Sequence, residues 1–126
     1  MSPRYRMPPG QQSLEPLLLD PTRLTIMSLL GSAQWCEYGF VRDAAQLTSP
    51  ALSKQIATLT EAGLVDVHKG YVGKTPRTWL RATTEGRKRI ATHVKALQAI
   101  ADEAAVQGRE HQPEAIPDVV DAPNGR

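Results

Sequence analysis

The sequence predicts a mainly α-helical fold with a small β-hairpin and a long C-terminal helix. Three observations predict it: a capped amphipathic segment over residues 49–63, two alternating segments at 64–69 and 78–81, and a helical pattern running from 83 to about 106. At 126 residues and 40% hydrophobic content the chain suits one domain with a modest core. Prolines punctuate the ends: Pro3, Pro8, Pro9 and Pro16 are read with the N-terminal arm, flexible over residues 1–13, and Pro113, Pro117 and Pro123 fall within 107–126, read as a disordered acidic tail. The folded domain is expected over residues 14–106, its last helix over about 84–106.

In chain order, the first helix is expected over residues 21–30, with Asp20 as its N-cap, Leu24, Ile26, Met27 and Leu30 inward, and Gly31 as its stop. Residues 34–37 suggest a short third strand, 40–47 a supporting helix, and 48–49 a link. The next helix starts on Ser49 as N-cap with Pro50 at the first helical position, where a missing N–H leaves nothing unpaired. Leu52, Ile56 and Leu59 form one apolar stripe, and Gly63 can take the left-handed conformation that ends a helix. The opposite face carries Pro50, Ala51, Ser53, Lys54, Ala57 and Thr58, residues small enough to enter a groove about 12 Å wide.

Alone, such a helix is an ordinary surface helix; the hairpin after it gives it a purpose. Residues 64–69 alternate as a half-buried strand and 78–81 supply a partner. The eight residues between them, GYVGKTPR, read as a loop too long for a tight turn, with cations at Lys74 and Arg77 and at Lys69 just before it. A solvated hairpin needs no cationic tip, whereas one lying on a duplex can meet phosphates or a narrow minor groove. Net charge is only +2, but residues 66–95 hold eight Lys/Arg against two Asp/Glu, and residues 96–126 hold two against six. Basic charge is thus gathered at the hairpin and the turn after it, as a duplex binder requires.

These segments carry a resemblance. SPALSKQIATLTEAGLV, the basic GYVGKTPRTW and the T-x-x-G-R turn at residues 83–87 resemble the small winged-helix transcriptional regulators of the MarR and ArsR type, over about residues 17–100. Ala82 stands where that family usually has leucine. The resemblance implies a winged helix-turn-helix whose second tri-helical helix reads the major groove, in a dimer joined by the long C-terminal helix.

On this reading Ser53, Lys54 and Thr58 contact base edges, beside Pro50 and Ala51; Ser49 and Gln55 contact phosphate or flanking positions. Lys69, Lys74, Thr75, Arg77 and Arg81 serve the wing and the DNA backbone, and Arg42 a phosphate. Leu14, Leu17, Leu18, Ile90, Val94, Leu97 and Ala101 are assigned to a two-fold interface between copies. The expected function is a dimeric repressor reading an inverted repeat in double-stranded DNA through the helix at 50–62 and the wing at 69–81; the alternatives are a protein-interaction module or a non-specific DNA-coating protein. No histidine lies near a serine or cysteine in a nucleophile motif, so an enzyme is not expected. No cofactor or metal is expected either, since His111-x-x-Glu114 is broken by Pro113. A small-molecule effector is unassigned. His93 is placed at a solvent edge and Cys36 read as a buried, inert thiol. With no leader and no long apolar run, the chain is expected to be soluble, away from membranes and cytoplasmic, nucleoid-associated in a prokaryote.

Overall fold

The computed structural model describes residues 13–113 and 115–116. Of the arm expected over residues 1–13, residues 1–12 lie outside the described residues, as do residues 114 and 117–126 of the expected tail. A 3-10 turn, Pro16–Leu19, leads into α1 (Pro21–Gly31), β1 (Cys36–Glu37), α2 (Tyr38–Ala44), α3 (Ser49–Glu61), β2 (Val65–Val72), β3 (Thr75–Ala82) and α4 (Thr84–His111). The predicted class is the observed one: four α-helices and a three-stranded antiparallel sheet in the order β1-β3-β2, with a long final helix.

Caps explain the helix starts. Asp20 accepts from the Arg23 N–H at 3.0 Å and Thr83 from the Gly86 N–H at 2.9 Å. At α3 the cap is Thr48, whose hydroxyl accepts from Ala51 N at 3.2 Å, so Ser49 lies inside the helix instead of capping it. α2 starts at Tyr38 and stops at Ala44, earlier at both ends than the expected 40–47, because the chain reverses at Gln46. Leu47 N donates to Arg42 O at 2.9 Å and Gln46 N to Asp43 O at 3.1 Å, the paired bonds of a Schellman stop. α3 ends on the same motif around Gly63, with Leu64 N on Leu59 O at 2.9 Å. The left-handed residue there is glycine at φ 79°, but at the α2 stop it is Gln46 at φ 58°. A Cβ in that region is unfavourable by about 1 kcal/mol or more. Gln46→Gly is therefore expected to raise stability by about 0.5 kcal/mol once the glycine's greater unfolded-state freedom is deducted, read as an increased melting temperature.

The hairpin is longer and tighter than expected. β2 and β3 pair without interruption from Val65↔Ala82 to Val72↔Thr75, so residues 70–77 are not an open loop. Gly73 and Lys74 alone make the turn, with Gly73 at φ 63°, which is why eight residues close as a ribbon. Pro76 is tolerated in β3 because β1 reaches only Trp79 and Leu80. β1 itself has two residues, not the four expected over 34–37.

The core gathers Leu18, Ile26, Met27 and Leu30 with Val41, Leu52, Leu59, Leu64 and Leu80, all fully buried. Burying each such side chain stabilises by about 1.5–3 kcal/mol before chain entropy is counted. The T-x-x-G-R turn locks the C-terminal helix onto this core. Thr83 donates its hydroxyl to Gly63 O at 2.7 Å, and Arg87 donates to Gly31 O and Ala33 O at 3.2 and 2.9 Å, capping the carbonyl end of α1. α4 continues to His111, five residues beyond the Val106 expected, so residues 107–111 are helix and not tail.

Residues 13–20 are tied to α4 through Glu15. Its carboxylate accepts from Leu17 N at 3.2 Å and pairs with Arg89, while its own N–H donates to His93 Nδ1 at 2.9 Å. His93 is fully buried, contrary to the expected solvent-edge position, because the 3-10 turn folds over it. Its Nε2 is the one buried side-chain nitrogen or oxygen without a partner among the described residues.

Candidate nucleic-acid interface

α3 turns Leu52, Ile56 and Leu59 into the core, and a 3.6-residue period then fixes what faces out. Ser49, Pro50, Ser53, Lys54, Ala57, Thr60 and Glu61 are exposed and form one ridge, while Ala51, Gln55 and Thr58 are half-buried at its flanks. Thr58 donates its hydroxyl to Lys54 O at 3.2 Å, and Gln55 Oε1 accepts from Arg23 Nη1 at 3.1 Å. Gln55 is thus held towards α1, and Ala57 and Thr60 are better placed on the ridge than Thr58.

An open cleft of about 990 Å³ separates this ridge from the hairpin. Ser53, Ala57 and Thr60 line one wall, and Lys69, Pro76 and Thr78 the other. The register explains the second wall, since Lys69 pairs with Thr78 and Tyr71 with Pro76, placing these four side chains on one face of the ribbon. Lys54, Lys69 and Lys74 are exposed and make no ion pair among the described residues. Thr75 is exposed beside the turn.

The wing arginines are engaged by the protein. Arg77 pairs with Glu37 beside the cleft. Arg81 lies at the root of the hairpin, its Nε 3.2 Å from Asp66 Oδ2 and its guanidinium 4.7 Å above the Trp35 ring. On the outer sheet face it completes a cluster with Trp35, His68 and Trp79, away from the cleft between α3 and the hairpin. Arg42 is bound to Asp43 at 2.9 Å and donates to Ser49 Oγ at 3.3 Å, which places it at the N-terminal end of the ridge.

Tyr38 was not legible as a site residue. From the start of α2 it donates its phenol proton to Ser49 O at 2.8 Å and lies 2.5 Å from Ser53 Oγ, bracing the first turn of α3. Neither neighbouring sequence nor periodicity marks a tyrosine for that position; only the angle between α2 and α3 does.

Residues 22–101 match the family described as the winged helix DNA-binding domain. The chain belongs to this family. Among solved structures, this winged-helix chain is similar to a transcriptional regulator homologue from Pyrococcus horikoshii, with 27% identity, 71% of this chain and 89% of that one covered, and a TM-score of 0.67. MepR of S. aureus, solved in complex with DNA, has the same fold at 16% identity and a TM-score of 0.63, covering 81% of this chain and 83% of that one. An uncharacterized protein of Methanocaldococcus jannaschii is 25% identical over 72 residues, which is 57% of this chain and 78% of that protein. The resemblance read from the sequence therefore stands, as a winged helix DNA-binding domain with its third helix, α3, set beside a wing.

The residues assigned to a two-fold interface divide in the winged-helix structure. Leu18 and Ile90 are buried in the protomer's own core, because the 3-10 turn and α4 pack against α1, so that role is corrected for both. Val94, Leu97 and Ala101 are exposed along α4, and Leu14 and Leu17 are half-buried. Leu19, not expected, is exposed beside them in sequence. Burial raises the Cys36 pKa, keeping its thiol protonated and unreactive. No helix among the described residues is long and apolar enough to cross a membrane, and none of their side chains cluster as a metal site.

Proposed function

We propose that the protein is a dimeric, sequence-specific repressor that reads an inverted repeat in double-stranded DNA. The observation that carries this is the pairing of two surfaces across one cleft: the ridge of small residues with Lys54 on α3, and Lys69 on the hairpin that ends in Lys74. Ser53, Lys54 and Ala57 are narrow enough to approach base edges. Ser49 with Arg42 meets phosphate at the helix start, where the macrodipole also favours negative charge. Lys69 and Lys74 lie along the neighbouring backbone, and the exposed stripe on α4, with Leu14 and Leu17, joins two copies. Two-fold symmetry then sets the recognition helices about 34 Å apart, one turn of the duplex. Repression follows from occupying the site.

Lys54→Ala and Lys74→Ala separate reading from electrostatic attachment. Lys54→Ala is expected to lose roughly 1–3 kcal/mol on the selected site and little on random duplex. Lys74→Ala is expected to weaken both equally and to reduce the slope of log K against log salt by about 1. Titrations at several salt concentrations decide it: equal losses on both duplexes for Lys54→Ala would remove it from the reading surface.

A further inference from the structure

Ser53 stands on the exposed ridge of α3 with its hydroxyl oxygen 2.5 Å from the Tyr38 phenol oxygen, and that phenol oxygen is also 2.8 Å from the Ser49 carbonyl. Only one arrangement of the protons makes both contacts hydrogen bonds. A carbonyl oxygen cannot donate, so the single Tyr38 proton is directed at Ser49 O. The short contact between the two hydroxyls must then be made by the other proton, with Ser53 donating to the tyrosine oxygen. Ser53 is left with lone pairs and no proton for a ligand. Ser49, one turn earlier, is set the other way: its oxygen accepts from Arg42 Nη1 at 3.3 Å, which leaves its proton for an acceptor.

A serine on a reading helix is ordinarily indifferent, because its hydroxyl rotates to donate or accept as the base requires. Tyr38 removes that freedom. In the major groove only adenine, through N6, and cytosine, through N4, offer a proton; guanine N7 and O6 and thymine O4 offer lone pairs alone. A guanine or thymine opposite Ser53 would set lone pair against lone pair. We propose that Tyr38 is a specificity-determining positioning residue that makes Ser53 an acceptor-only reader, selecting a base with an exocyclic amino group. This rests on α3 entering the major groove, as proposed above, and adds to it which bases one ridge residue admits.

The test uses the full-length protein and its selected duplex, with each base pair varied in turn and affinities compared with those of Ser53→Ala and Tyr38→Phe. Ser53→Ala should flatten the preference at one position, and the wild type should favour adenine or cytosine there over guanine or thymine by about tenfold, a usual order for one mismatched base. Replacing that base by its analogue without the amino group, purine for adenine or 2-pyrimidinone for cytosine, should weaken the wild type as much as Ser53→Ala does and tell which amino group is read. Tyr38→Phe keeps the ring but frees the Ser53 proton, so the preference there should shrink to within about threefold while those elsewhere and the salt slope stay unchanged. A merely structural tyrosine would lower affinity at all positions alike. The inference is overturned by a guanine or thymine preference at the Ser53 position, by an amino-free analogue bound as tightly, by Ser53→Ala flattening no position, or by an unchanged preference in Tyr38→Phe. If Tyr38→Phe does not fold, the analogue duplexes on wild type decide. Absence of any sequence preference in the wild type would instead remove the proposed function, and this inference with it.

Discussion

Leu97→Glu is expected to turn the protein into a monomer and to lower its affinity for an inverted repeat at least about 100-fold, the gain that linking two binding modules commonly gives. Leu97 lies midway along the outer face of α4, one turn from Val94 and Ala101, and is exposed in the protomer. Because it is absent from the core, a charge there leaves the fold intact, yet across a two-fold axis the same residue meets itself or its near neighbours and two carboxylates would be buried together. Binding to an isolated half-site should be unchanged, which distinguishes lost dimerisation from damage to α3. Sedimentation and titration on full and half sites measure both. A Leu97→Glu dimer with full affinity would move the interface elsewhere, the apolar cleft between α1 and Phe40 being the next candidate.

Gly86→Ala is expected to destabilise the fold by about 3 kcal/mol, the upper end of the usual range for overpacking, and to lower the melting temperature by roughly 10 °C or more. A Cβ at Gly86 would lie 2.2 Å from the Leu64 carbonyl oxygen and 3.1 Å from Met27 Cε. The first is backbone, which cannot swing away as a side-chain tip can. That carbonyl also accepts from Thr83 N at 3.0 Å, so relief of the clash would strain the bond that starts α4 against β2. Gly108, on the same helix with nothing within 4 Å of its added Cβ, is the control: alanine there should be neutral or slightly stabilising. Equal melting temperatures for the two variants would contradict the close approach.

The same glycine shows what the sequence could and could not tell. T-x-x-G-R was legible as a turn through the family resemblance, while the choice of Thr83 over Thr84 as the cap rests on the bond its hydroxyl accepts from Gly86 N. That Gly86 exists to admit Leu64 O, and that Arg87 reaches back to close α1, depends on contacts 22 to 56 residues away in the chain and leaves no local trace. The stripe Leu52, Ile56 and Leu59 was read correctly because a helix period is local, and the ridge opposite followed from it. The wing was read as a loop because glycines and a proline are strand breakers on average; register with β3 overrode them, Gly73 serving the turn and Pro76 falling where no neighbour needs its N–H. Ile90 was misplaced because periodicity shows which side of a helix is apolar, but not whether it meets its own domain or another copy; Leu18 and His93 were misplaced because the 3-10 turn that packs over α1 and α4 leaves no periodic trace. Charge counting found the cations of the wing and could not find their partners, Glu37 for Arg77 and Asp66 for Arg81, which topology alone brings together.

Selection of the purified protein against a random duplex pool at about 150 mM salt, where merely electrostatic binding is suppressed, tests whether it is a dimeric reader of sequence. Enrichment of an inverted repeat whose half-sites are centred about one helical turn apart is expected. Retention of duplexes with no common sequence would contradict it.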